Sequence, residues 1–267
     1  MTETRVTTST LMDMKREGEK IAVLTAYDFL TARFLDEAGI DMIIVGDSVS
    51  MVFAGHETTL PVTMDEMLYH TKAVSRGCRR PLIIGDMPFL SYQTCVEDAI
   101  RNSGRFLQEG GAQAVKLEGG TEMADTISRV VERGIPVMGH IGLTPQSIHK
   151  FGGYKVQGNT EDSAQYLLSS AKILEQAGVF SMVLEKIPAH LAREITQAVS
   201  VPTIGIGAGV HCDGQVLVTQ DMLGIFDLFQ PKFVRRYADL AESMKAAFQE
   251  YIKDVKGGAY PSEEESY

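Results

Sequence analysis

Eight short apolar segments recur along this chain, and their spacing constrains the fold more than any other feature of the sequence. Each is rich in β-branched residues and is bounded by glycine or proline, as is typical of strands buried on both faces of a parallel sheet. The segments are IAVLTAY from Ile21, MIIVG from Met42, PLIIG from Pro81, AVKL from Ala114, PVMGHIG from Pro136, SMVLE from Ser181, PTIGIG from Pro202 and GQVLVT from Gly214.

Stretches with helical period lie between most of these predicted strands. One of them opens with the letters TMDE, a capping-box pattern in which Thr63 and Glu66 satisfy each other's backbone N–H groups. Asp28, directly after the first strand, is predicted to be the N-cap of the next helix. The predicted helices cover 29–38, 63–75, 97–108, 122–133, 161–177 and 189–198.

Eight strands, most of them followed by a helix, predict an α/β fold, the (β/α)8 TIM barrel. The chain has 267 residues, and barrels of this type have about 250. An open doubly wound sheet is disfavoured, because the composition shows no linker-like break and no G-x-G-x-x-G follows the first strand. We therefore predict one barrel domain over 1–267, with an N-terminal helix (1–20) that covers the barrel bottom and a mobile acidic tail (257–267).

Composition excludes several classes of function. The formal net charge is −10, which argues against nucleic acid or an anionic membrane as a partner. No segment approaches the roughly 20 apolar residues that a membrane helix needs, and the polar N-terminus has no signal-peptide core. The three cysteines are widely spaced, without a metal or redox motif, which indicates a reduced, cytoplasmic compartment. No G-x-S-x-G motif or spaced Cys–His dyad points to a nucleophilic enzyme.

Acidic residues end four of the apolar segments. Asp47, Asp86, Glu118 and Glu185 each follow a run of strand length. Active sites of (β/α)8 barrels lie at the C-terminal ends of the strands. A single acid after a strand is more often an N-cap or a turn former, but four acids in equivalent positions predict a functional cluster at the barrel mouth.

Alternation of side chains along a strand predicts which neighbours share a face with these acids. It places Asp47 on the face of Val45 and Ile43. It likewise places Asp86 on the face of Ile84 and Leu82, and Glu118 on the face of Lys116. If these faces point inward, the polar groups converge at the mouth.

The order of the acids along the chain suggests a metal ion. Asp47, Asp86 and Glu118 belong to consecutive strands, which lie about 4.8 Å apart in a sheet, so the three carboxylates would repel one another strongly. A divalent cation resolves this repulsion, and oxygen ligands without a Cys or His cluster favour Mg²⁺ over Zn²⁺. Glu185, on the sixth strand, is placed to act on a molecule that the metal holds.

Other polar residues at the mouth leave alternatives open. His140, near the end of the fifth strand, is a candidate pocket residue or a hydrogen-bonded structural histidine. Tyr27 and Ser48 offer hydroxyls that either bind a carboxylate or, for Ser48, cap a helical turn. The stretch GIGAG, from Gly205, lacks the spacing of phosphate-binding motifs, so a tight loop is at least as good an explanation.

Several longer motifs identify a family. LTAYD, IIVGDS, GHETTLPVTMDEM, GDMPF, VKLEGG, GHIGLTPQ, GGYKVQG, VLEKIP and PTIGIGAG occur in this order between Leu24 and Phe233. In order and content they resemble the ketopantoate hydroxymethyltransferase family, and the resemblance covers nearly the whole chain.

The resemblance implies an enzyme of pantothenate, and hence coenzyme A, biosynthesis. Such an enzyme transfers a hydroxymethyl group from 5,10-methylenetetrahydrofolate, its cosubstrate, to the 2-oxoacid 3-methyl-2-oxobutanoate, giving 2-dehydropantoate and tetrahydrofolate. One Mg²⁺ per subunit, a cytoplasmic location and a homo-oligomer, often a decamer, are also implied. Neither nucleic acid nor a membrane is an expected partner.

Site residues carry over from the family motifs position by position. The metal site matches Asp47, Asp86 and Glu118. The oxoacid-binding positions match Asp47, Ser48, Asp86 and Lys116, and the proton acceptor matches Glu185. In the implied mechanism Glu185 removes the C3 proton of the metal-chelated oxoacid, and Lys116 supplies a second positive charge to the resulting enolate.

Two alternatives to this function remain. One is another Mg²⁺-enolate barrel, a lyase of the isocitrate lyase and phosphoenolpyruvate mutase type. Those enzymes generally carry a lid motif such as K-K-C-G-H, which this sequence lacks. The other is a non-catalytic barrel that acts as a binding protein, which the presence of all four acids disfavours.

Overall fold

The computed structural model describes residues 4–267, and its eight parallel strands form one closed barrel in chain order. The strands are β1 (Ile21–Thr25), β2 (Met42–Val45), β3 (Leu82–Asp86), β4 (Ala114–Glu118), β5 (Val137–Gly142), β6 (Ser181–Glu185), β7 (Thr203–Ile206) and β8 (Gly214–Leu217). The predicted (β/α)8 barrel is thereby confirmed. Each strand coincides with one of the eight apolar segments of the sequence.

The helices follow the predicted positions closely. They are α1 (Thr8–Glu17), α2 (Phe29–Glu37), α3 (Val49–Val52), α4 (Met64–Gly77), α5 (Val96–Arg105), α6 (Ala124–Val131), α7 (Ile148–Phe151), α8 (Glu161–Gln176), α9 (Ala189–Ala198), α10 (Thr219–Met222) and α11 (Leu240–Gly257). All six helices predicted between strands are present.

Local hydrogen bonds account for the helix starts that the sequence predicted. The Glu66 N–H donates to Thr63 Oγ1 at 3.3 Å, and the Thr63 N–H donates to Glu66 Oε2 at 2.7 Å, which completes the capping box. The Thr31 N–H donates to Asp28 Oδ1 at 2.9 Å, so Asp28 is the N-cap of α2.

One helix departs from its predicted course. The predicted helix 97–108 is α-helical only to Arg105 and continues as a π-helical turn, Phe106–Gly110. This turn directs the Phe106 ring onto β3 at Gly85, where an added Cβ would lie only 2.2 Å from the ring. The tertiary contact, which no local pattern encodes, therefore sets the shape of this helix end.

Apolar side chains form two layers around the sheet. The inner layer fills the barrel with alternate strand residues, such as Ile44, Ile84 and Met138, and also includes Leu11 and Met14 of α1. The outer layer joins the remaining strand residues to the surrounding helices. A barrel filled in this way has a solid interior, so its polar chemistry is confined to the ends of the strands.

The helix α1 is attached at the end where the strands begin. Lys15 Nζ donates to the carbonyls of Thr196 (3.1 Å) and Val201 (2.9 Å) and to Asp213 Oδ2 (2.9 Å). Val201 lies two residues before β7, and Asp213 directly precedes β8. The opposite end, where the strands finish, carries the acidic residues discussed below.

The described chain divides into two compact units. The first ends at Val218 and contains the whole barrel, and the second, Thr219–Tyr267, contains α10 and α11. The single domain over 1–267 and the mobile tail at 257–267 stay predictions. Within residues 4–267, no helix combines the length and the apolar character needed to cross a membrane.

Candidate active site

Charged side chains gather at the C-terminal ends of neighbouring strands. Asp86 and Glu118 are the last residues of β3 and β4, and Glu185 is the last residue of β6. In the sheet register, Asp86 pairs with Lys116, and Glu118 pairs with His140. All of these side chains except Glu185 are buried, and Glu185 is 15% exposed. The strand ends thus bring together the residues that the sequence predicted for this region.

Asp47 joins the cluster for a reason that differs from the predicted one. Ile43 and Val45, which were expected to share its inward face, belong to the outer layer between the sheet and the helices. The strand ends at Val45 and the chain turns, with the Val49 N–H donating to the Gly46 carbonyl at 3.1 Å. Alternation therefore does not continue to Asp47, and the prediction of its face was wrong. The turn still brings its backbone N–H to 3.1 Å from Asp86 Oδ2.

A continuous chain of opposite charges crosses the mouth. Lys116 Nζ lies 2.6 Å from Asp86 Oδ1 and 3.5 Å from Glu118 Oε1. His140 Nδ1 lies 3.3 Å from Glu118 Oε1, and His140 Nε2 lies 3.2 Å from Glu185 Oε2. These contacts link the third strand to the sixth and fix the position of each charged group relative to the next.

Neighbouring carboxylates keep both cations of this chain protonated, against the effect of burial. Burial acts to lower the pKa of Lys116, but Asp86, Glu118 and Asp47 together raise it above its ordinary value. Burial and Lys116 likewise act to lower the pKa of His140, but hydrogen bonding and charge from Glu118, with Glu185, raise it to about 9. At neutral pH, the site therefore holds two positive charges among its carboxylates.

The aspartates have an excess of negative charge around them. Burial, followed by repulsion from Asp86 and Glu118, raises the pKa of Asp47 well above its ordinary range. Burial also raises the pKa of Asp86, although Lys116 acts against this. Glu118 differs, since Lys116 and His140 outweigh the effect of burial and lower its pKa. The place where an added cation would relieve most repulsion is therefore beside Asp47 and Asp86.

Gln146 is a central residue of the site that the sequence analysis missed. Its Nε2 donates to Asp47 Oδ2 (3.0 Å) and to the Met87 carbonyl (2.8 Å), and its backbone N–H donates to Glu118 Oε2 (3.0 Å). Tyr92 donates to Gln146 Oε1 at 2.9 Å. The only signal in the sequence was an amide a few residues beyond the fifth strand, in GHIGLTPQ.

The two predicted hydroxyl residues are paired with each other. Tyr27 Oη and Ser48 Oγ lie 2.8 Å apart. Ser48 precedes the short helix α3, but its side chain makes no capping hydrogen bond. The structure therefore does not show Ser48 as a helix cap. His140 lies in the charged chain itself rather than in a separate structural role.

The glycines of GIGAG are explained by close packing. A Cβ on Gly209 would lie 2.5 Å from the Cβ of Ala189, at the start of α9. This close approach needs a glycine whether or not a ligand binds there, which favours the tight-loop interpretation.

The predicted set of three metal ligands is not assembled as a set. Over residues 4–267, no group of three or more His, Cys, Asp or Glu side chains is arranged to hold a metal ion. Glu118 accounts for this, because its Oε1 faces Lys116 and His140 and its Oε2 accepts from the Gln146 N–H. Asp47 and Asp86 remain as the two carboxylates whose surroundings fit a cation.

Comparison with known proteins identifies the family. The family model described as ketopantoate hydroxymethyltransferase matches residues 5–263. The chain belongs to the ketopantoate hydroxymethyltransferase family. A 3-methyl-2-oxobutanoate hydroxymethyltransferase of Syntrophus aciditrophicus is 56% identical over 263 residues, which cover 98% of this chain and 97% of that protein. One of Geobacter metallireducens is 57% identical, over 96% of each chain.

Solved structures that resemble this family member share its fold at low sequence identity. A putative phosphonomutase from Burkholderia cenocepacia superposes with a TM-score of 0.67 at 14% identity, over 91% of this chain and 98% of that one. A 2,3-dimethylmalate lyase, a member of the PEP mutase/isocitrate lyase superfamily, gives 0.60 at 15% identity, over 97% and 91%. At these identities the likeness concerns the barrel alone, so function is argued from the family and the site.

Proposed function

We propose that this protein transfers a hydroxymethyl group from 5,10-methylenetetrahydrofolate to 3-methyl-2-oxobutanoate, giving 2-dehydropantoate and tetrahydrofolate. Family membership across nearly the whole chain supports this reaction. The observation that carries the chemistry is the buried chain of charges from Asp86 to Glu185 at the barrel mouth. Such a site is suited to removing a proton next to a carbonyl group and to stabilising the negative charge that results.

The residues around Asp47 and Asp86 are proposed to hold the oxoacid and Mg²⁺. The carboxylates of Asp47 and Asp86 lie beside Glu118, and their pKa values are raised by burial and by the negative charges close to them. A hard dication would relieve the repulsion among these charges, whereas an anionic oxoacid without a cation would add to it. We therefore propose Asp47 and Asp86 as the residues that would hold Mg²⁺. When bound, the ion would supply positive charge beside the keto oxygen. Glu118 orients Lys116, His140 and the Gln146 backbone through its own contacts.

Lys116 and Ser48 are proposed to bind the oxoacid from the protein side. The Lys116 ammonium stays charged and is held in place by Asp86 and Glu118, so it can neutralise a carboxylate or a developing enolate oxygen without moving far. Ser48 Oγ, paired with Tyr27, offers a hydroxyl at the same rim.

Glu185 is proposed to be the general base. It is the only carboxylate of the cluster with appreciable exposure among the described residues, at 15%. His140 Nε2 holds its Oε2 at 3.2 Å, which leaves the other oxygen to accept a proton from C3 of the oxoacid. The electron pair released at C3 then forms the bond to the methylene carbon of the folate, and both carbon–nitrogen bonds that join this carbon to folate break. One water supplies the hydroxyl, and the C3 proton and the remaining proton of that water pass to the two folate nitrogens.

The first experiment separates proton removal from hydroxymethyl transfer. With Mg²⁺ in D₂O and without folate, the protein should exchange the C3 proton of 3-methyl-2-oxobutanoate, as followed by proton NMR. Glu185→Gln should reduce this exchange by about 10²- to 10⁴-fold, the usual contribution of a general base.

The control for this experiment is Glu132→Gln, at an exposed site on the helical side of the barrel, which should leave exchange unchanged. Exchange retained in Glu185→Gln would exclude that residue as the base. Failure of the wild type to form 2-dehydropantoate from the oxoacid and methylenetetrahydrofolate would overturn the proposed function itself.

The second experiment tests the cation site by binding rather than by turnover. Asp86→Asn should abolish the Mg²⁺-dependent part of oxoacid binding, measured by calorimetry with and without the metal. Asp13→Asn, at an exposed site on α1, is the matched control and should bind like the wild type. Equal Mg²⁺ dependence in Asp86→Asn and the wild type would contradict the assignment.

We also propose, from the family resemblance, a cytoplasmic homo-oligomer. Sedimentation velocity of the purified chain would test its assembly, and fractionation of cells would test its location.

A further inference from the structure

The segment 152–158, in the stretch GGYKVQG, has no role in the function proposed so far. It connects α7 to α8, beyond the fifth strand, and so lies on the side of the barrel that carries the site. Its Tyr154 and Val156 side chains are 41% and 42% exposed. We call residues 152–158 the cover segment.

Glycines stand at both ends of the cover segment. Gly152 and Gly153 have φ values of 63° and 117°, and Gly158 has a φ of 76°. Residues other than glycine rarely adopt these backbone conformations, so each position needs the freedom that glycine provides. The Gly158 end is fixed by packing, because an added Cβ there would lie 2.5 Å from Leu191 Cδ2. The opposite end carries Tyr154, directly after two successive glycines.

Lys186 holds the cover segment down. It follows Glu185 directly and has a φ of 49°, a left-handed conformation that costs free energy for a residue with a Cβ. Its carbonyl accepts from the Gln157 N–H at 3.0 Å, and its ammonium donates to the Tyr154 carbonyl. The residue after the candidate base thus contacts the cover segment at two points.

Tyr154 reaches across the mouth from the fifth and sixth strands toward the second. Its hydroxyl lies 3.6 Å from Met51 Sδ, in the short helix that follows Asp47 and Ser48. Burial, followed by the charges of Glu185 and Asp47, raises the pKa of Tyr154, which keeps its hydroxyl protonated at neutral pH. Tyr154 therefore contacts residues next to both parts of the site, since Lys186 directly follows the candidate base and Met51 lies in the helix after Asp47 and Ser48.

The hydrogen bond that Tyr154 makes is a weak one. A thioether sulfur is a poor acceptor, so donation to Met51 leaves most of the hydroxyl's capacity unused. An oxoacid brings several strong oxygen acceptors into the same space.

We propose that Tyr154 is a further substrate-contacting residue of this site: held by Lys186, it closes the mouth and exchanges its contact with Met51 for a hydrogen bond to an oxygen of the bound oxoacid. This inference rests on the proposed function for the identity of the ligand. It assigns Lys186 as a positioning residue that acts through Tyr154.

The variants distinguish the effect of losing the Tyr154 hydroxyl from the effects of losing the Lys186 contact and of destabilising the fold. Tyr154→Phe removes only the hydroxyl and should weaken Mg²⁺-dependent binding of 3-methyl-2-oxobutanoate about 3- to 10-fold by calorimetry, the range for one hydrogen bond. Tyr69→Phe, at an exposed tyrosine on α4, is the matched control and should bind like the wild type.

Lys186→Gly removes the contact of the ammonium with the Tyr154 carbonyl, keeps the carbonyl that accepts from the Gln157 N–H, and favours the left-handed backbone, so its melting temperature should equal or exceed that of the wild type. It should nevertheless weaken oxoacid binding. The double variant with Tyr154→Phe should bind little worse than Lys186→Gly alone, because the two residues act together.

Trypsin cleavage after Lys155 gives a measurement that needs no ligand. Cleavage, followed by mass spectrometry, should be several-fold faster in Lys186→Gly than in the wild type if Lys186 holds the cover segment. Equal rates would overturn the attachment.

Wild-type oxoacid affinity in Tyr154→Phe would overturn the substrate contact while leaving the proposed function intact. A wild-type protein that does not bind the oxoacid, with or without Mg²⁺, would overturn the proposed function and the contact together.

Discussion

Gly142 fixes the position of the candidate base from the neighbouring strand. It is the last residue of β5, has a φ of 96°, and pairs in the sheet with Glu185. An added Cβ would lie 2.3 Å from the Glu185 carbonyl oxygen. The Leu143 N–H donates to that same oxygen at 2.9 Å. No side chain fits between the two strands at this point, so glycine here sets where Glu185 can stand.

Gly142→Ala should therefore reduce catalysis more than it reduces stability. The backbone of Glu185 must shift to admit the methyl group, and a displacement of this kind can cost on the order of 10²-fold in rate. Overpacking and the unfavourable φ should lower the free energy of unfolding by about 2–3 kcal/mol. Hydroxymethyl transfer at saturating substrates and urea unfolding measure the two effects.

Gly139→Ala, in the same strand, is the control for this prediction. A Cβ there would be 3.3 Å from Leu174 Cδ1, in the outer layer and away from Glu185. We expect a small change in stability and none in rate. A Gly142→Ala enzyme with the wild-type rate would show that Glu185 does not depend on this contact.

Residues of the site were predictable where the strand pattern persists to the strand end. Asp86, Glu118 and Lys116 lie on the inward face that alternation assigned to them. Asp47 was predicted from a face that it does not share, because the strand stops two residues before it. Gln146 lies beyond β5 in a short 3₁₀ turn, where periodicity gives no direction for a side chain, so it could not be found from the sequence.

At the scale of secondary structure, local chemistry was the reliable guide. The capping box of α4 and the N-cap of α2 are formed as the sequence predicted. Both depend only on residues within one turn of each other. The π-helical turn after α5 depends instead on Phe106 reaching Gly85, and so it was missed.

The capping box gives a prediction that depends on pH. Hydrogen bonds from Thr63 lower the pKa of Glu66. A carboxyl whose pKa is lower in the folded state stabilises the fold above its unfolded pKa, and this stabilisation is lost as the pH falls through the folded pKa. Thr63→Ala should lower the free energy of unfolding by about 1 kcal/mol at pH 7. This difference from the wild type should shrink below about pH 4.5, since protonated Glu66 bonds the cap less strongly.

Urea unfolding of both proteins at pH 7 and pH 4 measures this difference. Thr31→Ala is a suitable comparison, because alanine keeps the backbone N–H that donates to the cap at Asp28 Oδ1 and loses only the hydroxyl that donates to Asp28 Oδ2 at 2.7 Å. A difference between the wild type and Thr63→Ala that did not change with pH would contradict a role for the ionised Glu66.

At the scale of the whole barrel, the two ends of the closed ring of strands have different roles. One end presents unbalanced buried charge for chemistry, which carries a cost in stability. At the other end, contacts in which charges are balanced hold α1 to the barrel. Among them, the hydrogen bond from Lys15 to Asp213 joins residues that are 198 positions apart in the chain. The sequence predicted that a helix would cover this end, but it could not reveal that a lysine joins the helix to β7 and β8.

Lys15→Met should therefore destabilise the barrel without affecting the chemistry at its mouth. The substitution keeps an unbranched apolar chain but leaves two carbonyls and a carboxylate without their shared donor, and Lys15 and Asp213 are each only 15% exposed. Loss of charged hydrogen bonds in such surroundings should lower the free energy of unfolding by about 2–4 kcal/mol. Urea unfolding followed by far-ultraviolet circular dichroism measures this change.

The adjacent Arg16 provides the control, because its ion pair with Asp13 on the same helix is largely exposed. Exposed pairs contribute at most about 1 kcal/mol, so Arg16→Met should unfold close to the wild type. If Lys15→Met lost no more stability than Arg16→Met, the contacts of Lys15 would not be what holds α1 to the starts of β7 and β8. The fold indicates that stability at one end is separate from chemistry at the other, so folded Lys15→Met protein should keep C3 proton exchange. Loss of exchange at a urea concentration where this variant remains folded would show instead that the two ends are coupled through the apolar interior.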